Sequence, residues 1–78
     1  MKQVVVIIRT TEPHRVREAL RAAVGLGLRG DQVRVHAGAL DLDDPFTSRA
    51  VATLAQLGRP VRSEPPQVSD ADVVEVWT

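Results

Sequence analysis

Residues 2–9, KQVVVIIR, form a β-branched run bounded by polar residues, too short for a helix and apolar at both alternating positions. That pattern predicts a central strand covered on both faces. Within residues 9–30, Val16, Leu20, Ala23, Val24 and Gly27 recur at helical spacing, with His14, Arg17, Glu18 and Arg21 on the opposite arc. A helix with one buried face is expected, starting at Pro13 with Thr11 or Glu12 as its cap and ending at Gly30. Residues 32–37, QVRVHA, alternate: Val33, Val35 and Ala37 lie on one side, Arg34 and His36 on the other. A strand covered on one face only, at the sheet edge, fits this alternation. Asp44 as N-cap, Pro45 at the first helical position and Gly58 as terminator punctuate a second helix with Phe46, Val51, Leu54 and Ala55 as its apolar set. Beyond Pro60, a short strand around Val61, a loop over residues 63–71 containing Pro65 and Pro66, and a last strand over residues 72–77 complete the chain.

The predicted order is strand, helix, strand, helix, weak strand, loop, strand. It describes one domain over residues 1–78, an α/β fold with a small Rossmann-like, mostly parallel sheet of three to four strands and two main helices. A strand order that turns back past the first strand would set the helices on opposite faces. Nothing would then cover residues 72–77, and Val74, Val76 and Trp77 become candidate interface residues.

Composition narrows the occupations. Ten basic residues balance ten acidic ones, which argues against nucleic acid or an anionic membrane as partner, since both are gathered by a net basic field. All but one of the basic residues are Arg, a bias suited to bidentate ion pairs. The longest apolar run, residues 4–8, is far below the roughly 20 residues of a membrane helix, so the expected location is cytoplasmic. Cysteine is absent, which excludes disulfides, thiolate metal sites and a thiol nucleophile. A chain of 78 residues with two aromatic residues buries a modest core, and with no disulfide and no metal site expected, oligomerisation is the remaining means of support.

Several motifs have ordinary structural explanations. Residues 25–30, GLGLRG, match the dinucleotide pattern G-x-G-x-x-G, yet they end a helix and lead into a strand, the reverse of the strand-to-helix turn that cradles pyrophosphate. Gly25 and Gly27 are expected instead to serve close helix–sheet packing. Asp41, Asp43 and Asp44 offer oxygen donors for a hard cation, but the spacing fits no calcium loop and Asp44 is needed as a cap. His36 could pair with that acidic loop; no Ser or Cys stands ready to complete a triad with it. No catalytic constellation, metal site or cofactor is predicted.

The crossover after the first strand is the better place for a ligand. In open parallel sheets ligands bind beyond the carboxyl ends of the strands. Arg9, Thr10, Thr11 and His14, with Gly38 and Ala39 after the second strand, would line that crevice and suit a small anion or nucleotide.

The string EALRAAVGLGLRGDQVRVHAGAL, after VVVIIR and before a capped helix, resembles the DsrE/DsrF/DsrH-like (TusBCD-like) sulfur-relay family. The terminal ADVVEVW is similar to the closing strand of the DsrH-like branch. The resemblance covers residues 2–42 well and residues 70–77 loosely. It implies a compact Rossmann-like sheet, homo- or hetero-oligomers and, in active members, a cysteine carrying sulfur as a persulfide. This chain departs where that chemistry resides, because it has no thiol and Met1 is a thioether. The expectation is a non-catalytic DsrE-like subunit that self-associates or docks a cysteine-bearing DsrE-like partner; the alternative is the anion-binding module.

Overall fold

The computed structural model describes residues 2–78. Strand β1 (Gln3–Ile8) leads into helix α1 (Pro13–Leu28), strand β2 (Gln32–Ala37), helix α2 (Pro45–Gln56) and strand β3 (Val73–Trp77). The three strands form one sheet in the order β2-β1-β3, and both pairings are parallel. The apolar run of residues 4–8 is central, as its two-sided pattern requires.

Register divides the sheet into two faces. Val4, Val6 and Ile8 stand beside Val33, Val35 and Ala37 of β2 and beside Val73, Glu75 and Trp77 of β3. Val4, Val6, Ile8 and the three β2 residues share one core cluster with Val16, Ala19, Leu20 and Ala23 of α1 and Ala50 and Leu54 of α2. Leu20 and Leu54 are fully enclosed, and burying a leucine stabilises by roughly 1.5–3 kcal/mol.

Both helices therefore cover the same face, contrary to the expectation of opposite faces. The reason lies after α2, where the weak strand around Val61 reduces to one parallel bridge, His36 to Arg62, on the outer side of β2. Arg62 N donates to Val35 O at 2.9 Å and Arg62 O accepts from Ala37 N at 2.9 Å. The chain thus steps from β1 to β2 and onward in one direction, and crossovers of one hand on one path stay on one side. The helices meet through Arg17 with Asp44, Arg21 over the Phe46 ring, and Leu57 near Gly27.

The residues 63–72 run back across the other face. Arg34 and His36 point to that side and hold the loop: Arg34 binds Asp70 at 2.7 Å and His36 Nδ1 lies 2.8 Å from Glu64 O. His36 is consequently buried, at 7% exposure, and β2 is covered on both faces rather than one. This carbonyl, not the acidic residues 41–44, is the imidazole's partner.

Local signals explain the helix boundaries. Glu12, not Thr11, caps α1, its carboxylate accepting from His14 N and Arg15 N. Asp44 caps α2 through Thr47 N, and Pro45 follows it. Each helix ends with a glycine at positive φ, Gly30 at 92° and Gly58 at 76°. Paired bonds accompany each: Gly30 N to Gly27 O with Asp31 N to Leu26 O, and Gly58 N to Ala55 O with Arg59 N to Leu54 O. Both are Schellman stops. In α2 the buried stripe is Thr47, Ala50 and Leu54, with Phe46 and Val51 partly covered, so Ala55 is exposed against expectation. Gly25 is exposed with open space at its Cβ position, while Gly27 faces Leu57, the C-cap of α2; neither serves helix–sheet packing.

Candidate functional site

The carboxyl ends of the strands carry the expected crevice, yet several of its backbone donors are already engaged. Arg9 N and Thr10 N both donate to Trp77 O, at 2.8 and 2.9 Å. Glu12 N donates to Thr10 Oγ1 at 3.1 Å. His14 N and Arg15 N donate to the Glu12 carboxylate at 3.1 and 2.8 Å, and these bonds, Arg15 foremost, hold the Glu12 carboxyl below its ordinary range. The helix N-terminus that would receive a small anion thus holds an anion of its own.

A cavity of roughly 300 Å³ opens beside this turn, between the start of α1 and the β2–α2 connection. Its polar lining is Thr11, Arg17, Asp41, Asp44 and Thr47. Arg17 bonds Asp44 at 3.2 Å, and Asp44 also accepts from Thr47 N at 3.0 Å and Thr47 Oγ1 at 2.8 Å. The Thr47 hydroxyl is the first cause of the lowered Asp44 pKa, followed by the Thr47 amide and then Arg17. Asp41 accepts from Asp43 N at 3.0 Å. Among the described residues no group of three or more His, Asp or Glu is placed to hold a metal ion.

The six residues expected around a ligand are dispersed. Thr11 and Ala39 line this cavity, whereas Arg9 and Gly38 line a smaller one of roughly 150 Å³ beneath Pro65 and Pro66. His14 is exposed, and Thr10 is used in the turn. Sequence reasoning assigned Arg17 to a solvated helix face; its partner stands 27 positions away, a separation with no local signature.

The three expected interface residues divide as well. Val74 and Val76 pair with Val5 and Ile7 and point to the face opposite the helices, while Trp77 pairs with Ile8 and turns toward the helix layer. There Trp77 packs against the core beneath the Arg15 guanidinium, 5.7 Å from its ring centre, and Arg15 Nε donates to Thr78 O at 2.8 Å. Val74 and Val76 remain 43% and 47% exposed, with Val68 at 44% in the crossing loop.

The two sides of the sheet differ in protection. Outside β2 the chain lays Arg62 against the strand and carries Pro60 and the crossing loop nearby. Outside β3 no described strand pairs, and the side chains on its open face are valines. Natural edges are blunted by charge, proline or a covering segment; β2 has all three, whereas the charges at β3, Glu75 and the Arg15 guanidinium over Trp77, lie on its helix side.

Among the described residues no helix is long and apolar enough to cross a membrane. No protein-family model matches the chain, and no curated protein and no solved structure matches it.

Proposed function

We propose that this protein is a non-catalytic subunit of the DsrE-like kind that works by self-association through the unguarded β3 side of its sheet. The carrying observation is the contrast between the two edges: β2 is shielded by Arg62 and the crossing loop, whereas β3 offers a free strand with Val74 and Val76 exposed. A strand with one neighbour leaves alternate N–H and C=O groups unpaired, a template for another strand. Zero net charge adds no large repulsive field between copies. The anion-binding reading has less support, because Glu12 and Trp77 O occupy backbone donors it would use.

Sedimentation velocity over a wide concentration range tests this function. The wild-type protein is expected to associate in the micromolar range, and Val76→Lys, a charge placed on the exposed strand, to shift it to monomer with little change in melting temperature. A wild-type chain that stays monomeric throughout overturns the proposal.

A further inference from the structure

The two helices pack side by side on one face of the sheet and leave an open groove between them, a cavity of roughly 250 Å³. Val24 of α1 and Phe46 of α2 form its floor, both partly buried against the core, and the small side chain of Ala50 leaves the depression between them. Thr53 spends its hydroxyl proton on Arg49 O at 2.9 Å. The floor is therefore apolar.

The rim is basic: Arg21 and Arg49 line the groove, and no acidic residue does. Among the described residues the Arg49 side chain has no ion pair and no hydrogen bond. The Arg21 guanidinium lies over the Phe46 ring, 5.4 Å from its centre, and its one acidic neighbour, Glu18, stands 3.6 Å away with both side chains largely in solvent. Exposed pairs of that kind are worth little. A guanidinium seated on a ring keeps its in-plane N–H donors for a carboxylate. The neutral balance of the whole chain hides this, since α1 and α2 carry four arginines and one glutamate. Asp44 holds Arg17, so the surplus charge falls at the groove.

We propose that this groove docks an acidic segment of a partner protein, one that presents an aliphatic side chain between carboxylates. The side chain replaces water on the Val24–Phe46 floor, and the carboxylates meet Arg21 and Arg49. A nucleic-acid backbone brings charge but nothing for the floor, and the Phe46 ring is already roofed by Arg21. A flat anionic bilayer does not enter a concave seat. The volume is below the roughly 300–1,000 Å³ of small-molecule pockets and suits one or two side chains. The groove lies on the helix side of the sheet, away from Val74 and Val76, so this docking is independent of self-association through β3.

The test titrates the isotopically labelled full chain with the acetylated, amidated pentapeptide DELED and follows backbone amides by NMR. Saturable shifts confined to Val24, Ala50, Thr53 and their neighbours, with Kd below about 1 mM, are expected. Arg49→Glu should weaken binding roughly tenfold or more, as loss of a charge-assisted hydrogen bond does, whereas Arg29→Glu, at an exposed arginine outside the groove, should leave it unchanged. The peptides DESED and KKLKK, which lack the leucine and the acids respectively, should each bind more weakly. No saturable shift, shifts outside the groove, or equal binding of DELED and DESED overturns the proposal. Tighter binding of octanoate or of phosphatidylserine vesicles at the same amides overturns it in favour of a small amphiphile or a membrane.

Discussion

Arg17 of α1 reaches across to Asp44, the cap of α2, at 3.2 Å, so one carboxylate both starts a helix and fastens it to its neighbour. Asp44 is also the acceptor for Thr47, whose side chain is buried. Removing the acid leaves an amide, a buried hydroxyl and a guanidinium without their acceptor, whereas removing the arginine leaves the cap intact. Asp44→Ala is expected to lower the melting temperature more than Arg17→Ala, with the double variant close to Asp44→Ala alone. Additive losses in thermal unfolding would contradict this coupling.

Leu54 and Leu20 hold the helix layer to the sheet. Leu54→Ala opens a cavity at a site with no exposure and is expected to cost about 2–5 kcal/mol. Urea unfolding followed by circular dichroism measures it; a loss below 1 kcal/mol, on the order of a tolerated core swap, would mean that α2 is loosely seated.

Glycines of one motif should respond in opposite directions. Gly25 is exposed within α1 and has open space for a methyl group, so Gly25→Ala is expected to stabilise by about 1 kcal/mol through helix propensity. Gly30 holds φ at 92°, and Gly30→Ala is expected to destabilise by roughly 1–2 kcal/mol. Melting curves that moved the same way for both would refute the assignment of Gly30 as the helix stop.

Acid should loosen the helix starts. The carboxyls of Glu12 and Asp44 lie below their ordinary values of 4.5 and 3.8, Glu12 by the Arg15 and His14 amides and Asp44 by Thr47 and Arg17. The unfolded chain therefore binds more protons in this range, so stability rises with pH. The contribution is complete above those ordinary values and disappears as pH falls through the lower folded ones. Melting temperature against pH should decline less steeply in acid for Glu12→Gln than for the wild type; parallel curves would remove Glu12 from the account.

His36 ties residues 63–67 to the sheet through Glu64 O. His36→Ala is expected to speed tryptic cleavage after Arg62 under native conditions, while the helices stay protected. An unchanged cleavage rate would show that Arg34 and Asp70 suffice to hold the crossing.

Punctuation was legible because it is local. Asp44-Pro45 and the glycines at 30 and 58 act through their own backbone, and the unbroken run of residues 4–8 has no other home than the centre of a sheet. Placement of α2 was not legible, since it depends on which side of β2 one residue, Arg62, attaches. His36 looked solvated because the segment that covers it lies 28 positions away. Glu12 is an uncommon cap whose choice over Thr11 emerges only from the turn that Thr10 and Trp77 O build. The candidate ligand residues followed the general rule for parallel sheets, but the rule does not reveal that the chain's own groups take up backbone donors there.

Val4 has its two strand partners at Val33 and Val73, one near in sequence and one almost the whole chain away. During synthesis, β1 can be flanked on one side early, but its other flank stays empty until β3 has been made. Such distant pairings slow folding and leave a nascent apolar strand edge open to chance neighbours. Residues 63–72 thereby set a timetable as well as a path, since β1 waits for them to cross.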